Sequence, residues 1–260
     1  FFDGLGHSHK QRDTNASTLW PPTFGGSGLG IASRFPILDR LVRPFRKPHV
    51  GPERFARKGM LHARVHVQGD ATSEGFEVDV VTTHLQAGYT NGARRVRERQ
   101  LAEIRELVDE IGSPTRPFIV CGDLNIDGLR PVREAGEYVA LTRTLPDFLD
   151  LGADDDHATF HPHPEHNPLA YRFEPAGARQ RIDYVLFRAP HTRHISAEAC
   201  EIVLDRPLDD LKTFASDHFG LRVVLTANGS TSSQEGRSDG ALSARNDPLS
   251  PGPARARHTG

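Results

Sequence analysis

Phe118-Ile119-Val120-Cys121-Gly122-Asp123-Leu124-Asn125 is the stretch from which the rest of the chain can be read. Apolar residues closed by a glycine describe a short buried strand. A turn after Gly122 leaves Asp123 and Asn125 facing the same way at the strand's end. Oxygen-bearing groups at a sheet rim suit a hard cation such as Mg²⁺ or Ca²⁺, not a soft metal. Gly, Asp and Asn are also ordinary turn formers. The stretch therefore acquires chemical meaning only if other polar groups stand at equivalent strand ends.

Upstream, Leu101, Ile104, Leu107 or Val108 and Ile111 recur every three or four residues, which predicts a helix over 93–111. Gly112 is placed to cap it, and Pro114 follows. Leu61, Ala63, Val65 and Val67 alternate with polar neighbours, a polar turn follows at Gly69-Asp70, and Phe76, Val78 and Val80 resume the alternation into Val81-Thr82-Thr83-His84-Leu85. That is a hairpin whose second strand ends on a histidine. Gly28 to Phe35 reads as a short strand closed by Pro36. Residues 1–26 read as loop and 38–57 as a Pro- and Arg-rich connection.

Downstream, residues 136–149 hold a short helix interrupted at Pro146, and 150–180 read as an acidic, His- and Pro-rich loop. Strands are expected at 181–187, 199–204 and 219–225. Beyond Ala227 the composition turns to Ser, Gly, Pro and Arg without periodicity, which predicts one domain over 1–227 and a disordered tail over 228–260. Arg94, Arg95, Arg97 and Arg99 read first as a solvated helix face, with an anionic substrate or lipid surface second. His161, His163 and His166 read as polar loop in preference to a second metal site. Trp20 and Phe24 are expected to bury against the first strand, contact with a lipid interface being the other reading.

The chain has 260 residues, a formal net charge of −2 and only two cysteines. Near-neutral charge argues against a nucleic-acid glove over the whole surface. Cys121 and Cys200 supply neither a disulfide framework nor metal-finger spacing, and Cys121 fits a small core residue. No apolar run reaches transmembrane length. The chain opens at Phe1 without a signal-like segment, which predicts a fragment or a mature form. The compartment stays open between soluble, secreted and peripheral to a membrane.

Three further places repeat the pattern of apolar strand plus polar terminus: Thr83-His84-Leu85-Gln86, Asp183 within 181–187, and Ser216-Asp217-His218 before the last strand. Each has a bland reading in core polarity or turn chemistry. Together they supply the parts of a metal-assisted phosphoryl-transfer site. Histidine is the natural base near neutral pH, and a carboxylate can hold its ring.

These segments, with Gly122-Asp123-Leu124-Asn125, Arg181-Ile182-Asp183-Tyr184 and the early strand Gly28 to Pro36, stand in the order and spacing of the endonuclease/exonuclease/phosphatase superfamily. The resemblance covers about residues 24–226. Arg57-Lys58-Gly59-Met60-Leu61-His62-Ala63-Arg64-Val65, Thr83 to Ala87 followed by Arg97 to Ile104, and His157-Ala158-Thr159-Phe160 are most similar to neutral sphingomyelinases. The resemblance implies an α/β fold of two packed mixed sheets flanked by helices, a four-layer sandwich of the DNase I kind. It implies a divalent cation, Mg²⁺ with Mn²⁺ or Ca²⁺ as alternatives, held by Asp217, Asp123 and Asn125. His218 would be the base, Asp183 its partner, Asp123 a proton donor to the leaving group and His84 a donor to phosphoryl oxygens. Lys58 and Gln86 would bind substrate.

The implied activity is phosphodiester hydrolysis with release of a phospholipid head group, at a membrane surface. A nuclease or phosphatase on the same site is the alternative, nucleic acid being the less favoured partner, and no protein partner is suggested. The superfamily's first strands carry an Asn and a metal-binding Glu. Nothing before Gly28 is similar to either, so those strands are expected to be missing and the chain to bind metal weakly or to act as a binding protein. The aromatic hairpin that bacterial sphingomyelinases use for membrane contact has no counterpart either, because residues 189–214 hold only Phe214.

Overall fold

A computed structural model describes residues 9–12, 27–46, 49–69, 75–129, 136–153, 156–192, 195–197, 200–208 and 213–227. The elements run β1 (His9–Arg12), β2 (Gly30–Ser33), β3 (Ile37–Pro44), β4 (Gly59–Val67), β5 (Phe76–His84), α1 (Asn91–Ile111), β6 (Phe118–Asp123), α2 (Glu137–Thr144), β7 (Leu149–Asp150), α3 (Pro168–Phe173), β8 (Asp183–Arg188), β9 (Ile195–Ala197), β10 (Glu201–Val203), β11 (Gly220–Arg222) and β12 (Leu225–Ala227). These all fall in one compact unit, Phe1–Ser230. The stretch 228–260 expected to be disordered, and Trp20 and Phe24, lie outside the described residues.

The core is a six-stranded mixed sheet in the order β3-β4-β5-β6-β8-β7. β5 and β6 pair in parallel, joined by α1 as their crossover, and the other pairs are antiparallel. The β4–β5 hairpin follows the alternation read from sequence. Thr90 caps α1 by accepting the Ala93 N–H, so the helix starts earlier than its apolar periodicity alone indicates.

Val81, Val120 and Leu186 form one row across β5, β6 and β8. They pack in one cluster with Leu101, Ile104, Leu107 and Val108 of α1, which covers that face. On the other face Ala63, Val65 and Val78 are joined by Ile31, Phe35 and Ile37, so β2 lies there. The mixed-sheet core with flanking helices is as expected. Outside that sheet, the described strands form short two-stranded ladders, β1–β2, β10–β11 and β12–β9. Their strands are only three or four residues long, and β10 ends where Leu204 turns left-handed, at φ 59.

Several elements differ from the sequence reading. His9–Arg12 is a strand within the stretch read as loop, pairing antiparallel with β2. Ile37–Pro44 is an edge strand and not a connection, its exposed Leu38, Asp39 and Arg40 hiding any alternation. The loop 150–180 contains α3, capped by Asn167 with Pro168 at its first position. Gly122 does not stop β6; the strand passes through it to Asp123. The glycine is required there because φ is +127 and a Cβ would lie 2.1 Å from the Thr83 carbonyl oxygen. Arg97 is not on a solvated face. It is buried, while Arg94, Arg95 and Arg99 are exposed.

Candidate active site

Strand register assembles the site. His84 is opposite Asp123, and Asp123 is opposite Asp183, so the last residue of β5, the last of β6 and the first of β8 form a single row. That row stands three residues from Val81–Val120–Leu186. An odd offset turns side chains to the opposite face of a strand, which takes His84 and Asp183 away from α1. Neighbours in a row have side chains within contact range, and His84 Nε2 is 3.3 Å from Asp123 Oδ2.

The fourth member arrives from the far end of the chain. His218 Nδ1 is 2.8 Å from Asp183 Oδ2. Thr159 locks Asp183 in place: its hydroxyl accepts the N–H groups of Ile182 and Asp183, both at 3.1 Å. The neighbouring Phe160 forms a β-bridge with His218, and its ring centroid is 5.1 Å from the imidazole's. Asn167, fully buried, donates to the carbonyls of Ser216 and Asp217 while its Oδ1 caps α3. Ser216 Oγ accepts the His218 N–H. In the sequence Thr159 and Phe160 stand out only by family likeness, and Asn167 belongs to none of the motifs. The one local signal for Asn167 was Asn-Pro at a helix start.

Asp123 Oδ1 accepts the Asn125 N–H at 2.8 Å, a turn that holds Asn125 left-handed at φ 53. Asn125 Nδ2 donates to the Leu85 carbonyl, turning its Oδ1 the other way. His84, Asp123, Asn125, Asp217 and His218 line one cavity of about 350 Å³ with Glu53, Tyr89, Phe160, Phe173, Glu174 and Gln180. Lys58 and Gln86, expected to touch substrate, do not line it. Lys58 is buried behind the wall, paired with Glu53 Oε1 and donating to the Leu85 carbonyl, both at 2.5 Å. Gln86 brackets Val50 through both ends of its carboxamide, and its own N–H donates to Gln100 Oε1. Both are masonry for the 85–89 loop.

Electrostatics follow from this crowding. Burial and the Lys58 charge push His84 down to about 4, so its ring is neutral at neutral pH. Burial, then the facing Asp183, pushes Asp123 up to about 7. Burial opposes charge on His218, but the hydrogen bond and charge of Asp183, with Asp123 and Asp217 beyond, outweigh it and raise the ring to about 9. Burial lifts the Cys121 thiol to about 11, away from nucleophilic use.

The donor chemistry suits a hard dication, as a partial shell. Asp123, Asn125 and Asp217 offer oxygens at one cavity. Among the described residues no three His, Cys, Asp or Glu side chains converge to hold an ion by themselves. Mg²⁺ is commonly held by one or two carboxylates with water and substrate phosphate completing the octahedron. His161, His163 and His166 do cluster, two rings stacking at 4.1 Å, without making such a group. No helix among the described residues is long and apolar enough to cross a membrane.

Comparison with known proteins gives the family. Among curated proteins the chain is 27% identical over 128 residues to a sphingomyelinase C of Leptospira interrogans, covering 48% of this chain and 22% of that protein. It is 33% identical over 118 residues to sphingomyelin phosphodiesterase 5 of Danio rerio, covering 42% and 21%. The chain thus spans less than a quarter of the length of these relatives. Among solved structures, a beta toxin mutant from Staphylococcus aureus with bound magnesium ions aligns with a TM-score of 0.64 at 18% identity, over 84% of this chain and 78% of that one. Danio rerio TDP2 complexed with a single strand DNA product aligns at 0.57 and 16%, over 76% and 72%. At such identities the structural likeness speaks for the fold alone. A family model described as Endonuclease/Exonuclease/phosphatase matches residues 2–218, and the chain belongs to that family.

Proposed function

We propose that the chain is a divalent-cation-dependent phosphodiester hydrolase of sphingomyelinase type, releasing the phosphorylated head group of a phospholipid. What supports the reading is His218, which lines the same cavity as His84 and Asp123 and is held from behind by Asp183 at 2.8 Å. Asp183 holds Nδ1 of His218, which points Nε2 at the attacking water. A cation held at Asp123 and Asp217 would cancel part of the negative charge that raises this ring to about 9, and so free Nε2 to take the proton. His84, neutral and next to Asp123, donates its ring N–H to a phosphoryl oxygen as charge builds there. Asp123, Asn125 and Asp217 are the residues to hold the cation. When bound, Mg²⁺ supplies positive charge against the phosphodiester and acidifies water.

Two observations favour lipid over nucleic acid. The curated relatives are sphingomyelinases by name, and the described lining residues of the cavity include no Lys or Arg to track a polyanion. The test is a panel of sphingomyelin, DNA and an inositol phosphate, each with Mg²⁺ and with EDTA. Phosphocholine release that needs Mg²⁺ and vanishes in His218→Ala is the expected result. Faster cleavage of DNA than of lipid would overturn the substrate, and full activity in EDTA the cation.

A further inference from the structure

The mouth of the cavity is built from residues that phosphoryl transfer does not use. Tyr89, in the loop before α1, is 61% exposed, and Phe173, the last residue of α3, is 70% exposed. Both line the cavity that holds His84, Asp123 and His218. Tyr89 does not swing in water. Its hydroxyl donates to Gln180 Oε1 at 2.9 Å and lies 3.3 Å from Glu174 Oε1, so the ring is tethered across the opening. Glu174 follows Phe173 directly and also faces the cavity.

Charge narrows what the opening can accept. The wall carries four carboxylates, Glu53, Asp123, Glu174 and Asp217, and no described Lys or Arg. Glu53 is committed to Lys58 and to the Ala87 N–H. Asp123 and Asp217 stand at the phosphoryl end. Glu174, whose Oε1 is 3.3 Å from the Tyr89 hydroxyl and which follows Phe173 in the chain, is the carboxylate that faces the cavity with no cationic side chain against it among the described residues. The Phe160 ring, which could compete, packs against His218. Aromatic faces attract a cation through the ring quadrupole and need no hydrogen bond from it, which suits a quaternary ammonium. A simple anion gains nothing from this wall, whereas a zwitterion with its positive end outward satisfies both ends of the cavity.

We propose that Tyr89, Phe173 and Glu174 form a subsite for the quaternary-ammonium end of the substrate. The inference rests on the hydrolase reading for one thing only, that the phosphate sits at His84 and His218.

The experiment measures affinity, not turnover. Binding of phosphocholine, of its uncharged isostere 3,3-dimethylbutyl phosphate and of inorganic phosphate to the full chain is followed by calorimetry with Mg²⁺ present. Phosphocholine should bind roughly three- to tenfold more tightly than the isostere, the range of one cation–aromatic contact plus a carboxylate. Tyr89→Leu, Phe173→Leu and Glu174→Gln should each shrink that ratio, while Tyr89→Phe, which keeps the ring, should retain most of it. Inorganic phosphate should bind all four variants as it binds the parent. Equal affinities for phosphocholine and its isostere, no binding of phosphocholine, or variants that weaken all three ligands alike would overturn the subsite. Intact discrimination in a chain that hydrolyses no diester would sink the hydrolase reading and leave the subsite standing. Hydrolysis without discrimination would do the reverse.

Discussion

Arg97→Met is the sharpest test of how the cleft wall is held. The guanidinium donates from Nε and Nη2 to the two carboxylate oxygens of Glu137, at 2.7 and 2.8 Å, and from Nη1 to the carbonyls of Gln86 and Gly88, at 2.6 and 2.8 Å. One buried side chain thus ties α1 to α2 and to the loop that carries Tyr89. Methionine keeps much of the stem's volume and removes every one of these bonds. Removing one partner of a buried pair costs about 3–5 kcal/mol. The lower end applies because the Glu137 side chain keeps 21% exposure and has Arg94 at 3.5 Å. A loss of about 3 kcal/mol corresponds to a fall in Tm of roughly 6–12 °C for a domain of this size. Urea melts followed by far-UV circular dichroism, on Arg97→Met, Glu137→Gln and the double variant, read the effect directly. The double should lose less than the two singles added together, by at least about 1 kcal/mol. A single-variant loss below about 1 kcal/mol, or simple additivity, would return Arg97 to the solvated face that its neighbours occupy.

Other substitutions test other parts of the frame. Asp183→Asn should lower turnover by about 10²-fold or more with little change in melting, because the ring of His218 loses its anchor but no core packing; a normal rate would remove Asp183 from the mechanism. Gly122→Ala should cost about 3 kcal/mol and depress activity as well, since a Cβ meets the Thr83 carbonyl at 2.1 Å between His84 and Asp123. Equal melting of variant and parent would refute the close approach. Asp79, fully buried, accepts from His62, Arg64 and Arg116 at 2.9, 3.0 and 2.9 Å. Burial alone would raise its carboxyl, but these partners win and hold it below 3.8. A depressed folded-state value means stability that is present above 3.8 and lost as the pH falls through the folded value. Asp79→Asn should therefore cost about 3 kcal/mol at neutral pH, and the gap between variant and parent should close on acidification below 3.8, read by acid titration of the melting curves.

The site was legible where chemistry sits at the end of a patterned strand. His84 and Asp123 close alternating or apolar runs, and nothing but local pattern is needed to find them. Asp183 was visible as a carboxylate out of place in an apolar segment. What stayed hidden depends on partners distant in sequence. Nothing near Arg97 marks it off from Arg94 or Arg95; Glu137, 40 residues on, and the Gln86 and Gly88 carbonyls make it structural. Lys58 and Gln86 carry the right functional groups, but their bonds point into the wall. β3 escaped because an edge strand with one exposed stretch need not alternate. The rim residues Tyr89, Phe173 and Glu174 come from separate loops and helices, and no periodicity connects them.

The row His84–Asp123–Asp183 also limits how such a chain can change in length. Deleting one residue inside Phe76–His84 or Phe118–Asp123 would slip the later pairings of that strand, turn the imidazole or the carboxyl toward α1, and break the row. Insertions of many residues between strands would leave the row untouched. Descendants of this sequence are free to lengthen their connections, and through them to alter what they bind, but they must conserve the residue count of three strands.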